Sequence, residues 1–228
     1  MTSIFQRAMG AEFDRLHPAL QRRFSVGLAS GQACVGRGTM DRVWHRSGGW
    51  VRPFLALGAS RHILLPRTGR DVPFVIENFP YEDSYGRETV TFVRTFSFPR
   101  ARPARFDATM IYSPGRGCII DYLGTHQHLA TDLELGAEPD GALVIRSKAH
   151  RFREGPIDLN VPDLVAADAL VRESYDEQAG RFHIRVNVVN RRFGPLFGYE
   201  GSFTVEYIDV AEYGIPAGLR PMREEPQE

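Results

Sequence analysis

The sequence predicts a mainly β fold with a small helical part (α+β): a single antiparallel β-meander of about nine strands, curved round a helix or closed into a barrel, lipocalin-like in architecture. Three observations carry this expectation. Apolar and polar side chains alternate over successive runs from Gln32 onward, short turn-forming segments separate those runs, and only the first two dozen residues keep a helical period.

In the helical segment, 1–25, Ile4, Ala8, Leu16, Leu20 and Phe24 recur on one face, Ser3 suits an N-cap, and His17-Pro18 breaks the pattern. Two short helices packing on the sheet follow. Strands are expected over 32–44, 72–79, 88–98, 105–112, 117–135, 142–152, 170–176, 181–190 and 199–208. Their separators, among them Tyr85-Gly86, 113–117, 136–141 and 177–180, are rich in Gly, Pro, Asp and Ser. Two further helices are expected within 53–63 and 162–169. The composition supports one domain over 1–220, with a disordered Pro/Glu-rich tail over 221–228.

The strands separate into a dry and a wet face. Phe182, Ile184, Val186 and Val188 oppose His183, Arg185 and Asn187, and Tyr199, Gly201, Phe203, Val205 and Tyr207 oppose Ser202, Thr204 and Glu206. An apolar face of this kind suits either the lining of a small-molecule barrel or a close-packed core.

Charge removes several function classes. With 28 basic and 28 acidic residues the net charge is zero, so neither nucleic acid nor an anionic membrane is expected as a partner. The cations are 27 arginines and one lysine, Lys148. Base composition accounts for most of them, and some suit a bidentate or stacked role that lysine fills less well. Cys34 and Cys118 form no CxxC pair, so no disulfide framework or thiolate zinc site is signalled. Without a signal peptide pattern or an 18-residue apolar run, a cytoplasmic chain is expected.

A family resemblance enters through the second half. Asp132-Leu-Glu-Leu, Gly141-Ala-Leu-Val-Ile-Arg-Ser, Arg151-Phe-Arg-Glu-Gly-Pro, Asn160-Val-Pro-Asp-Leu, Gly180-Arg-Phe-His-Ile-Arg-Val and Gly194-Pro-Leu-Phe-Gly-Tyr-Glu-Gly-Ser-Phe resemble the bacterial DUF4166 family. Leu16-His-Pro-Ala-Leu-Gln-Arg-Arg-Phe and Gly36-Arg-Gly-Thr-Met extend the resemblance to the amino half. It implies a domain of unknown function without a catalytic motif to transfer, and by analogy with fused family members a dehydrogenase-like or epimerase-like partner.

Two constellations carry candidate chemistry. His126 and His128 fall two apart in an expected strand, and a hairpin register that sums to 278 sets His150 opposite His128 and Asp132 opposite Arg146, an arrangement of three imidazoles that suits zinc. The same face carries Asp132, Glu134, Arg146 and Lys148, so a solvated charge ladder explains these histidines equally well. In Val90, Phe92, Arg94, Phe96 and Phe98 a guanidinium sits on an apolar face. Arg94 pairs there with Glu77 or Asp107, or else reads the polar end of an apolar ligand lined by Phe92, Phe96, Met40, Tyr199 and Phe203. Gly36 and Gly38 suggest close approach of a helix or ligand. Asp121 with Tyr122, and Glu173 with Tyr175, are further acid/base candidates whose spacing requires no such role. The resulting expectation is binding of a small, largely apolar molecule without a cofactor, with a cofactor-free isomerase, cyclase or hydrolase as the alternative.

Overall fold

The structure is a computed structural model that describes residues 2–45, 61–63, 65, 67–154, 157–160, 167–190, 192 and 194–228. The chain opens with helix α1 (Ile4–Met9), a 3-10 helix (Gly10–Arg15) and α2 (Pro18–Phe24). Twelve strands follow: β1 (Gln32–His45), β2 (Gly69–Asn78), β3 (Pro80–Glu82), β4 (Glu88–Phe96), β5 (Ala104–Ser113), β6 (Cys118–Leu123), β7 (Leu129–Ala137), β8 (Leu143–Glu154), β9 (Ile157–Asn160), β10 (Asp168–Asp176), β11 (Arg181–Asn190) and β12 (Gly194–Asp209). A last helix, α3, spans Val210–Tyr213.

Ten strands close on themselves in the order β10, β11, β12, β1, β2, β4, β5, β6, β7, β8 and back to β10, every pair antiparallel, with β3 on β4 and β9 on β8 outside the ring. The expected barrel is therefore present, with one more strand than the sequence pattern counts. The run 117–135 divides at Gly124–His128, where Gly124 (φ 77°) and Gln127 (φ 54°) turn the backbone out of extended geometry. The helices expected within 53–63 and 162–169 fall largely outside the described residues.

A barrel of ten strands is wider than the eight that side chains alone fill. Here the N-terminal segment fills one end. Ser3 caps α1 in a reciprocal capping box with Gln6, and Pro18 starts α2 after His17. The buried faces of these helices, Ile4, Phe5, Met9, Phe13, Leu16, Leu20 and Phe24, join one core with inner-face residues of the strands, including Phe92, Met110, Ile119, Leu133, Phe182 and Phe203. Gly36 and Gly38 make room in this wall. A Cβ on Gly36 would stand 2.7 Å from the Phe203 ring and one on Gly38 would stand 2.1 Å from the Ser202 carbonyl oxygen, so the close approach is that of the neighbouring strand and its phenylalanine, not of a helix or ligand.

Arg23 fastens the plug. Only 2% exposed, it binds Glu173 of β10 through Nε, and its Nη1 donates to Asn78 Oδ1 of β2 at 2.9 Å and to Cys34 Sγ of β1 at 3.2 Å. Its guanidinium also lies 5.1 Å from the Phe203 ring centroid. Burial alone would lower the Arg23 pKa, but Glu173 reverses that and raises it above the ordinary arginine value.

The terminal stretch expected to be disordered is laid along the outer wall. Glu225 N–H donates to Gln127 Oε1 at 2.6 Å, Arg87 donates to the Glu225 carbonyl at 2.6 Å, and Tyr122 Oη donates to the Gln227 carbonyl at 2.7 Å. Leu219 covers the outer apolar residues Ala33, Val35, Phe79 and Val93. The outer apolar patch and the hydrogen-bonding groups of Arg87, Tyr122 and Gln127 give the segment something to bind.

Replacing Arg23 by Met leaves Glu173 buried without its cation, and urea denaturation is expected to show a loss of about 3–5 kcal/mol. The double variant R23M/E173Q is expected to recover part of it. A single variant as stable as the parent protein would show that this clamp contributes nothing to holding the plug.

Candidate functional site

Arg94 lies on the inner face of β4, between Phe92 and Phe96. Its guanidinium carbon stands 5.6 Å from the Phe92 ring centroid and 5.2 Å from that of Phe106, the residue opposite it on β5. Nη1 donates to the Phe92 carbonyl at 3.3 Å, while Nε is buried with no hydrogen-bond partner. The carboxylate partners expected for it are on the other face. Glu77 alternates with inner-face Phe74 and Ile76, and Asp107 is held outside by Arg105 and His62, each at 2.8 Å.

Asp121 is the second interior charge. On β6, Ile119 belongs to the inner core whereas Ile120 and Tyr122 form an outer cluster, so Asp121 and Leu123 face inward with Ile119. Cross-strand pairing agrees, since Asp121 stands opposite Met110 on one side and Thr131 on the other. Its Oδ1 is buried and unpartnered. Burial raises this carboxyl to about 7, with the charge of Arg94 pulling in the opposite direction. The two groups therefore sense each other across the interior, yet no hydrogen bond or ion pair joins them.

Tyr199 of β12 completes the group. Its ring packs edge-on against Phe96 at 5.1 Å, and its hydroxyl is buried without a partner. Burial raises the Tyr199 phenol pKa, and Arg94 again opposes the shift. Other buried carboxylates are committed: Glu173 to Arg23, Asp107 to Arg105, Asp83 to Arg87 and Glu225 to Arg223. The contrast singles out Asp121.

The inner wall also keeps accessible surface beside these groups. Asp121, Leu123, Leu129 and His150 are only partly buried although they face inward, and Phe152, paired with Leu129, is 40% exposed.

The six residues expected to line a ligand, Arg94, Phe92, Phe96, Met40, Tyr199 and Phe203, all fall on the inner face of one core. Phe92 meets Phe5 of the plug at 5.8 Å, so it belongs to the closed end. The three histidines do not converge. A register shift between Thr131 and Leu133 sets His150 opposite Thr131, which it contacts at 2.9 Å, and Glu134 rather than Asp132 stands opposite Arg146. His126 and His128 precede β7, stacked on each other at 5.4 Å, and Arg223 Nη1 lies 3.2 Å from His128 Nδ1. Among the described residues no three histidine, cysteine or acidic side chains form a metal-binding cluster.

The family model for DUF4166, a domain of unknown function, matches residues 16–203. The chain belongs to the DUF4166 family. YndH of Bacillus subtilis (strain 168), described as an uncharacterized protein, is similar to it, 32% identical over 208 residues that cover 90% of this chain and 98% of YndH. The DUF4166 match takes in Arg23, Arg94, Asp121 and Tyr199, and it leaves out α1 and the C-terminal strap. Among the described residues, no helix is long and apolar enough to cross a membrane.

The raised carboxyl has a consequence for stability. Folded Asp121 keeps its proton to about 7 while the unfolded chain releases it near the ordinary 3.8, so the stability it allows is complete below that value. It falls by about 1.4 kcal/mol per pH unit until the folded group ionises, and is level above. Asp121→Asn is expected to remove this slope, matching the parent near pH 4 and exceeding it near pH 8 in denaturant midpoints. Parallel curves for the two proteins would contradict the assignment.

Proposed function

We propose that the barrel binds a small, largely apolar molecule, with its apolar part against the inner wall and its polar end among Arg94, Asp121 and Tyr199. The observation that carries this reading is that Arg94 Nε, Asp121 Oδ1 and Tyr199 Oη lack hydrogen-bond partners on the inner wall, whose other such atom among the described residues, Arg23 Nη2, belongs to the clamp on the plug. A buried polar atom without a partner costs about 1–3 kcal/mol, more when charged. Three in one place are offset when a ligand supplies the missing bonds. Hydrophobic contact then gives affinity and the polar group sets orientation.

Asp121 also supports a second reading, a cofactor-free enzyme on the same scaffold. A carboxyl at about 7 exchanges protons freely at neutral pH, and Arg94 with Tyr199 would stabilise negative charge developing on a bound carbonyl. Proton transfer within a substrate is the chemistry that these groups fit.

Native mass spectrometry of the purified protein is expected to show a retained mass that organic solvent releases, and Arg94→Met is expected to lose it. A bare polypeptide mass that also fails to take up apolar compounds would contradict the binding reading. Incubating the released compound with protein in deuterium oxide separates the two readings. Deuterium entering its carbon skeleton with the parent protein, but not with Asp121→Asn, would establish chemistry, and its absence would leave binding alone.

A further inference from the structure

We propose that the interior takes an apolar monocarboxylic acid, its carboxylate held by Arg94 and Tyr199 while Asp121 in its acid form donates the third hydrogen bond, so that a proton is bound together with the ligand. This rests on the reading of the interior as a binding site and names its ligand class.

The inference follows from counting bonds and charge. Arg94 Nε and Tyr199 Oη each offer a donor, and Asp121 Oδ1 lacks a partner, so the head group must accept two bonds and meet a carboxyl. Arg94 carries a fixed positive charge with no carboxylate bonded to it, in contrast with Arg23, Arg87 and Arg105, each of which has one. When Asp121 holds its proton the site has an uncompensated cation, which an alcohol or amide leaves unbalanced. A carboxylate balances it, and its lone pairs accept from all three groups at once. If Asp121 were ionised, two carboxylates would face one guanidinium in a low-dielectric interior, so the acid form is the one compatible with the ligand. At a pH where free Asp121 is ionised, the proton comes from water and affinity falls as pH rises.

Among the described residues, the titratable and charged groups that face the same interior include Cys34 on β1, Arg94 on β4, Tyr112 on β5, His150 on β8, Glu173 and Tyr175 on β10, Tyr199 and Tyr207 on β12 and Arg23 on α2, and Asp168 of β10 lies 3.4 Å from His150 Nε2. Arg23 and Glu173 neutralise each other. Histidine is the side chain whose charge ordinarily changes between pH 5 and 8, so a His150 variant serves as a control.

Isothermal titration calorimetry with decanoate and decanol, in two buffers of different ionisation enthalpy, measures both affinity and protons taken up. Decanoate is expected to bind more tightly than decanol at pH 6, to weaken about thirtyfold by pH 8.5, and to take up close to one proton there, given a carboxyl at about 7. Asp121→Asn is expected to bind decanoate with no proton uptake, His150→Gln to keep the uptake, and Arg94→Met to lose at least tenfold more affinity for decanoate than for decanol. Decanoate binding without proton uptake, or uptake that disappears in His150→Gln, would overturn the inference. Binding of decanol alone would overturn the carboxylic acid as ligand and leave the interior as a binding site, whereas saturable binding of neither compound would overturn both.

Discussion

The guanidinium of Arg23 ties α2 to strands from separate parts of the barrel wall, β10 through Glu173, β2 through Asn78 and β1 through Cys34. Ten strands enclose more width than their own side chains fill, so this fold depends on keeping a helical plug in one end. Hydrophobic contact by Ile4, Phe5, Leu16, Leu20 and Phe24 supplies most of the attraction but little direction. A fully buried ion pair supplies direction, because the plug that moves leaves Glu173 desolvated and alone. The plugged end is thereby fixed.

Within that frame, Arg94 and Asp121 are opposite charges that have not been allowed to meet. A direct pair would settle both and release Tyr199 from any role. Instead Arg94 folds back along its own strand to the Phe92 carbonyl and lies against Phe92 and Phe106, while Asp121 projects from β6 among Met110 and Thr131. Desolvation without compensation explains the raised carboxyl, and separation explains why Arg94 only moderates it. On the proposed reading, the stability lost in this way is what a ligand recovers on entering.

The barrel was legible in the sequence because its strands alternate, and Arg94 was legible because it breaks an apolar face whose other members are aromatic. Asp121 was hidden by the opposite circumstance. Both faces of β6 are apolar, Ile119 and Leu123 inside and Ile120 and Tyr122 outside, since the C-terminal strap covers the outer side, and alternation then cannot say which way the aspartate points. The spacing of Arg23 from Leu16 and Leu20 puts it on the buried helix face, but nothing in that spacing names Glu173 as its partner. The three-histidine arrangement failed on register. The hairpin pairs two residues out from the expected register, with Glu134 opposite Arg146, and the irregularity between Thr131 and Leu133 then moves His150 to Thr131.

The strap and the plug are both fastened to the wall by side-chain hydrogen bonds. The central claim is that Arg94 and Asp121 are held apart for a ligand. A crystal structure of the protein grown with decanoic acid tests it most directly. The account predicts a carboxyl group within hydrogen-bond distance of Arg94, Tyr199 and Asp121, its chain running along the inner wall. An interior in which Arg94 and Asp121 form their own ion pair, with no ligand between them, would contradict it.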